Sequence, residues 1–434
     1  MKRPPKPHIQ LNSRLLPLLV GLLLVMQLIA PYKGWVMLLI GLGGAWFINY
    51  LWAWSLAQSL RLERKMRFGW AHVGDLLEER FTLTNTGLLP ALWVEIIDHS
   101  TVPDYHVGRA TGVDGGNHNR WYTKGVCTQR GVFTLGPTTL RSGDPLGIFT
   151  VSLHYADSMP LTVTPPIVPL PAIEVAPGGR AGEGRSRVNT FERTVSTNSV
   201  RAYIPGDSVN WIHWPTSARH NSLFVRQFDS MPSGDWWIFL DLDKHVQIGQ
   251  GFDSTAEHSI ILAASLADRG LKLGRAVGLV TYGQELAWLP PQNGDNQRQE
   301  ILRALAVTQT GSRSLIELLT RSRPALSQTT SLIIITAAVD GIWVEALLPL
   351  LQRGAVATIL LLDPVSFGGQ ADLAGTQALL TDLGVTYYLI TRDLLDQPEA
   401  RPGQRGQWKW RVTLTGRAVP IRRPRSLVWS ELGK

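Results

Sequence analysis

The chain has 434 residues, 44% hydrophobic and 18% charged, with a formal net charge of +8 and one cysteine, Cys127. That length exceeds one ordinary domain and supplies apolar material for several cores. A single thiol excludes an intramolecular disulfide and a cysteine-based metal cluster, and it suits a reducing compartment. The basic balance fits either nucleic acid or an anionic lipid surface.

Two apolar runs open the chain, Leu15 to Tyr32 and Trp35 to Trp54, separated by Lys33-Gly34. Each is near the ~20 residues that a membrane-spanning helix needs. They read as a tight two-helix transmembrane hairpin rather than a cleaved signal peptide. No A-x-A-like site follows the first run, and a second run begins at once. Lys2, Arg3, Lys6 and Arg14 precede the pair, and Arg61, Arg64, Lys65 and Arg67 follow it. The positive-inside rule then places both ends in the cytoplasm, with the soluble bulk of the chain beside them.

From about residue 70 the hydrophobic period changes to two. "ERFTLTNTGLLPALWVEIID" reads as strand, turn, strand. The stretch from Asn119 to Tyr155 adds three short strands punctuated by "RG", "GP" and "SGDPLG", and "MPLTVT" adds a last one. Short strands at this spacing point to a small β-sandwich, Ig-like in outline. Cys127 falls on one of these strands, where a buried structural thiol is the expected reading. Residues 171–199 are rich in glycine, serine and arginine and read as a connector.

Beyond the connector, "WWIFLDL", "RAVGLVTYG", "SLIIITAAVD", "VATILLLD" and "VTYYLIT" are apolar strands. Between them lie helical patterns, the first ending at Gly270 and the others near 295–307, 312–322, 341–353 and 371–383. Apolar strands alternating with amphipathic helices predict an α/β doubly wound domain. Ligands of such folds sit beyond the carboxyl ends of the strands, where the strand order reverses. Asp241, Asp243 and Asp340 are placed to reach that point. They form a candidate metal site, for which Mg²⁺ is the cofactor that oxygen ligands would favour. The Walker, dinucleotide, zinc-protease and nucleophile-elbow motifs are all absent from the sequence.

The densest motif is "RAYIPGDSVNWIHWPTSARHNSLFVRQF", Arg201 to Phe228. Its prominent positions are Arg201, Tyr203, Pro205, Gly206, Asp207, Ile212, His213, Trp214, Ala218, Arg219, Val225 and Arg226. Three readings compete. As a clasp, Asp207 pairs with Arg201 or Arg219 while the aromatic groups pack. As a recognition surface, arginine and tryptophan face a partner protein. As a hydrolytic site, Asp207 orients His213 beside Ser208, Thr216 or Ser217. Nucleic acid is not an expected partner, because Asp207 and Asp229 dilute the positive charge.

This motif resembles the signature of the domain of unknown function 58 family, and "RGVFTLGPTTLRSGDPLGIF" upstream is similar to that family's earlier motif. The resemblance covers nearly the whole chain. It implies a C-terminal domain of von Willebrand factor type A-like fold and a MoxR-type AAA+ ATPase as partner. Type A domains often bind Mg²⁺ through D-x-S-x-S. Here the run is Asp241-Leu242-Asp243-Lys244-His245, with Ser312 or Ser314 standing for a distant threonine and Asp340 for a last acid. The expected organisation is a tail and transmembrane hairpin (1–60), a β-sandwich (61–170), a connector with the motif (171–232), the type A-like domain (233–395) and a basic tail (396–434). The expected function is a non-catalytic adaptor in the inner membrane, working with the ATPase in assembly or maturation of protein complexes. A metal-assisted protein-binding module is the alternative, and a hydrolase the more distant one.

Overall fold

The computed structural model describes residues 7–66, 69–168, 170, 173–176, 197–204, 212–220, 222–228, 235–326 and 330–394, with short strands at 409–412, 418–422 and 430–431. Contacts divide the chain into two compact units. One comprises 1–166 and 396–434 together with 305–307, and the other comprises 167–304 and 308–395.

The first unit begins with a strand, Pro7–Leu11, followed by helices Leu15–Ile29 and Lys33–Ser59. The helices are joined through Ala30, Pro31 and Tyr32, not through Lys33-Gly34, which lie inside the second helix. Proline has no N–H with which to extend the first helix. Extended Tyr32 then starts the second, its own N–H bonded to Gln27 Oε1. Lys33–Ser59 is long and apolar enough to cross a membrane. Both helices leave large apolar side chains uncovered, among them Leu15, Leu28, Met37 and Ile40. Asn49, Ala53, Leu56 and Ala57 are buried instead, at the helical spacing of one face. That face joins the core of the sheets that follow.

Three larger sheets follow, besides the two-stranded pair Lys409–Val412 and Ala418–Arg422. The five-stranded sheet runs Pro7–Leu11, Phe149–Tyr155, Thr138–Gly143, Ala91–Asp98, Arg109–Val113. The four-stranded sheet runs Ser430–Glu431, Leu60–Met66, Leu76–Asn85, His118–Val126, and the three-stranded sheet Trp70–His72, Met159–Thr164, Gly131–Leu135. The two strands read from "ERFTLTNTGLLPALWVEIID" therefore enter different sheets rather than pairing with each other. Strands Pro7–Leu11 and Leu60–Met66 flank the helices, and sequence reading had assigned neither. Both are short and interrupted by charge or polar groups, so their period-two signal is weak.

Two of the inward positions carry charge. Leu60–Met66 turns Leu60, Leu62, Arg64 and Met66 inward, and Leu76–Asn85 turns Leu77, Glu79, Phe81 and Leu83 inward. Arg64 forks onto Glu79 with Nε–Oε1 of 2.8 Å and Nη2–Oε2 of 2.7 Å. Its Nη1 donates to Asp98 Oδ1 at 2.6 Å and to Thr138 Oγ1 at 3.1 Å, both on the five-stranded sheet. Tyr105 donates its hydroxyl to Glu79 at 2.6 Å. Burial alone would lower the Arg64 pKa, but bonding and charge from Glu79 and Asp98 outweigh it and hold the guanidinium charged. Burial beside Glu79 pushes the Tyr105 phenol up, so it stays a donor. The network pins one sheet to another through satisfied polar groups. Cys127 is buried too, its thiol pushed up to about 11 by burial and then by Asp75, which leaves it unreactive near neutral pH.

The second unit is built on a six-stranded sheet. Its order is Leu286–Gln292, Val277–Tyr282, Trp236–Leu240, Ser331–Thr336, Val356–Leu362, Thr386–Ile390. All neighbours are parallel except Leu286–Gln292, which pairs antiparallel at the edge. This strand was missed in the sequence because it holds Pro290-Pro291, which only an edge accepts. Helices Thr255–Lys272, Asp295–Val307, Leu315–Ser322, Trp343–Gln352 and Ala374–Asp382 lie between the strands. The first runs through Gly270 rather than ending there. A Cβ at Gly270 would stand 2.6 Å from the Trp236 ring, so the residue is needed for close packing of helix on sheet. Two of the helices begin with a serine N-cap: Ser254 accepts from the Glu257 N–H, and Ser314 from the Glu317 N–H.

Replacing Arg64 with methionine leaves Glu79 and Asp98 buried without their cation. We expect Arg64→Met to lower unfolding stability by about 3–5 kcal/mol, read from the denaturant midpoint of the purified chain.

Candidate functional site

The chain order of the six-stranded sheet reverses between Trp236–Leu240 and Ser331–Thr336. After the first strand the chain moves to one side, and it later returns to fill the other. The connections at the carboxyl ends of these two strands therefore diverge and leave a crevice. Asp241 follows the first strand and Thr336 ends the second, so both stand at its floor.

Asp241 is buried, and each of its carboxylate oxygens accepts a hydrogen bond. Oδ2 accepts from Thr336 Oγ1 at 2.6 Å, and Oδ1 accepts from the Asp243 N–H at 3.1 Å. The Asp241 backbone N–H bonds to Ile335 O across the strand pair. Its carbonyl accepts from Gln247 Nε2, whose Oε1 in turn accepts from Thr255 Oγ1. Thr336 Oγ1 also accepts from the Ala338 N–H. Burial pushes the Asp241 carboxyl up to about 6 from an ordinary 3.8; bonds from Thr336 and Asp243 oppose this, and the charges of Asp243 and Asp340 add to it.

The structure brings the three predicted acids into electrostatic reach but not into a ligand set. Among the described residues no group of three His, Cys, Asp or Glu side chains gathers around a common point. Asp243 spends Oδ1 on the His245 N–H, and Asp340 lies exposed on a bend. Ser314 is occupied as a helix cap. A Mg²⁺ ion requires convergent oxygens in near-octahedral array, and these residues do not supply them. Sequence reasoning overlooked Thr336, Gln247 and Thr255. The available signal was a hydroxyl as the last residue of the apolar run "SLIIIT".

The Arg201–Phe228 motif forms a separate small element. Strand Thr197–Ala202 pairs antiparallel with Phe224–Phe228, setting Arg201 opposite Val225 and Val200 opposite Arg226. Tyr203 continues this pairing by donating its N–H to Leu223 O. Ile212 is buried and bridges to Val225. Pro205, Gly206, Asp207 and Ser208 lie outside the described residues, as does Trp211. Helix Trp214–His220 follows, with a proline in its first turn. His213 caps it: Nδ1 accepts the Thr216 N–H at 3.3 Å and lies 2.8 Å from Thr216 Oγ1. Ser217 is buried and accepts the Phe224 N–H at 2.9 Å. Trp214, Ala218 and Arg219 are exposed, Trp214 by 64%.

The upstream motif is a turn organised by one carboxylate. Asp144 is buried and accepts from the N–H groups of Leu146, Ile148 and Phe149. Gly147 takes a positive φ of 69°, which an L side chain resists.

Asp241 gives the site a pH signature. The unfolded chain loses this proton near pH 4, whereas the folded chain keeps it to about 6, so stability falls as pH rises through that window. Asp241→Asn keeps the size and an acceptor for Thr336 but cannot ionise. Thermal unfolding across this window should then lose a pH-dependent component of about 3 kcal/mol that the parent shows.

Comparison with known proteins bears on the Arg201–Phe228 motif. Residues 199–367 match the family described as "Protein of unknown function DUF58". The chain is 27% identical over 287 residues to the "Uncharacterized protein YeaD" of Bacillus subtilis, covering 61% of this chain and 68% of that one. Among solved structures, the CARDB domain of a Pyrococcus furiosus protein, determined with di-metal ions, is 9% identical. It aligns over 24% of this chain and 94% of its own, with a TM-score of 0.18. A β-glucosidase from Listeria innocua in complex with glucose is 8% identical over 24% of this chain and 16% of its own, with a TM-score of 0.17. Scores this low carry no inference about fold or ligand. The region from the paired strands of the motif through the fifth strand of the six-stranded sheet, residues 199–367, belongs to the DUF58 family.

Proposed function

We propose that this chain is a non-catalytic, membrane-anchored adaptor that docks a partner protein through its DUF58 region. The observation that carries the reading is how the motif uses its reactive groups. His213 and Ser217 are consumed in holding one short helix, while Trp214 and Arg219 are left facing outward. Those two residue types dominate the energy of protein interfaces. Read with its strand order and single antiparallel edge strand, the second unit is a von Willebrand factor type A-like domain. The sheets of the first unit are read as an Ig-like sandwich. A MoxR-type AAA+ ATPase is the partner that the family resemblance implies, with assembly or maturation of protein complexes as the process.

The anchor is read as a two-helix hairpin in the bacterial inner membrane with both ends in the cytoplasm. Support comes from the strands on either side. Pro7–Leu11 precedes the helices and pairs with Phe149–Tyr155; Leu60–Met66 follows them and pairs with Leu76–Asn85. Both ends of the hairpin thus return to one folded unit. The exposed apolar lengths also match. Leu15–Ile29 has 15 residues, and buried positions in the 27-residue second helix begin at Asn49. At 1.5 Å per residue, the first helix is about 22 Å long, so each arm reaches across most of a hydrocarbon core.

Two experiments test these readings. Capture with the full chain, solubilised from membranes, should recover an AAA+ ATPase in a nucleotide-dependent manner. Trp214→Ala with Arg219→Ala should lower that recovery at least about ten-fold without shifting the unfolding midpoint. Equal recovery by parent and variant would remove the motif as docking face. For topology, a Tyr32→Cys substitution in a Cys127→Ala background should react with an impermeant maleimide added to the periplasmic side. Labelling from the cytoplasmic side alone would invert the orientation.

A further inference from the structure

A second cluster at the carboxyl edge of the six-stranded sheet is assigned no role by either motif. A cleft of about 440 Å³ opens there, lined by Lys244, Tyr282, Gly283, Thr310, Ser312 and Arg313 among others, with no carboxylate in its wall. Its geometry is set by backbone. Segment 310–312 lies alongside 242–244: the Gly311 N–H bonds to Leu242 O at 2.9 Å, and the Lys244 N–H to Gly311 O at 2.8 Å. That pairing carries Lys244 and Ser312 to one opening. The approach is so close that a Cβ on Gly311 would collide with the Gly283 carbonyl, and a Cβ on Gly283 with the Gln309 carbonyl.

The charges of this opening are preorganised. The Arg313 guanidinium lies 5.4 Å from the centroid of the Tyr282 ring, and Arg321 lies 5.5 Å from the same ring. Glu317 contacts both arginines, at 3.3 Å and 2.8 Å. One acid thus serves two cations, and with Lys244 the group has a net charge of two positive. Lys244 is exposed. The ring contact and the Glu317 pair restrict Arg313 before any ligand arrives, which reduces the entropy lost on binding. Hydroxyls from Thr310 and Ser312 add neutral donors on the same wall.

We propose that this cleft binds an oxyanion, a carboxylate or a phosphate, directly through Lys244 and Arg313, with no metal ion between. Two cations and two hydroxyls around a small polar opening are the donors such a group requires. The location is the carboxyl edge of the sheet, where open α/β sheets take their ligands. The proposal does not depend on the adaptor reading, since it concerns only groups on this chain.

Calorimetric titration of the full-length solubilised chain, at constant ionic strength and near neutral pH, tests it with two probes, inorganic phosphate and glutarate. Lys244→Gln and Arg313→Gln should each weaken binding about ten-fold or more. Lys272→Gln, a cation at the far end of helix Thr255–Lys272, should leave binding unchanged. Charge-dependent binding of both probes supports a general oxyanion site. Binding of phosphate alone assigns a phosphate-bearing ligand, and binding of glutarate alone a carboxylate-bearing one. Absence of binding with both probes overturns the proposal, as does equal binding by all three variants.

Discussion

A carboxylate held out of water between two strand ends organises the carboxyl edge of the six-stranded sheet. Asp241 takes one hydrogen bond from the Thr336 hydroxyl and one from the Asp243 amide, and its own amide and carbonyl are bonded as well. Each of these ties a different connection. Thr336 sets the turn after its strand through Ala338, and Gln247 passes the constraint to Thr255, the first residue of the long helix. Leu242 to Lys244 are then held in extended register with Gly311. Without a fixed Asp241, the backbone that presents Lys244 would have no anchor at its start.

The two units solve the problem of buried charge in opposite ways. Arg64 stays ionised because Glu79 and Asp98 meet it with good geometry, and Thr138, Ser100 and Tyr105 satisfy what remains. Such a network gives a core specificity more than net stability, since desolvation offsets much of the attraction. Asp241 has no cation within its bonded set. Burial raises its pKa instead, so a bonded but partly protonatable carboxyl is what the site holds near pH 6.

Much of the architecture was legible in the sequence. The apolar strands of the second unit were visible because parallel strands buried on both faces lack alternation. The two N-terminal apolar runs were visible by length and composition, although Pro31 rather than Lys33-Gly34 proved to divide them. The site was less legible. His213 beside Ser217 in a dense motif has the composition of a hydrolytic centre, yet the fold turns both groups onto local backbone. Three acids near strand ends have the composition of a metal centre, yet the carboxylate bonds run to Thr336 and to backbone amides.

Residue order by itself determined the class of each segment: apolar helices, alternating strands, and an α/β series punctuated by acids at strand ends. These features depend on local periodicity, which a window of a few residues contains. Only the tertiary structure decided what the polar groups do. Asp241 and Thr336 are 95 residues apart, and so are equally silent about each other in sequence; they meet because their strands are parallel neighbours in the sheet. Lys244 and Arg313 share one opening because Gly311 bonds to the backbone of Leu242 and Lys244, and a hydrogen bond between distant segments, unlike a helical period, leaves no trace in the spacing of the chain.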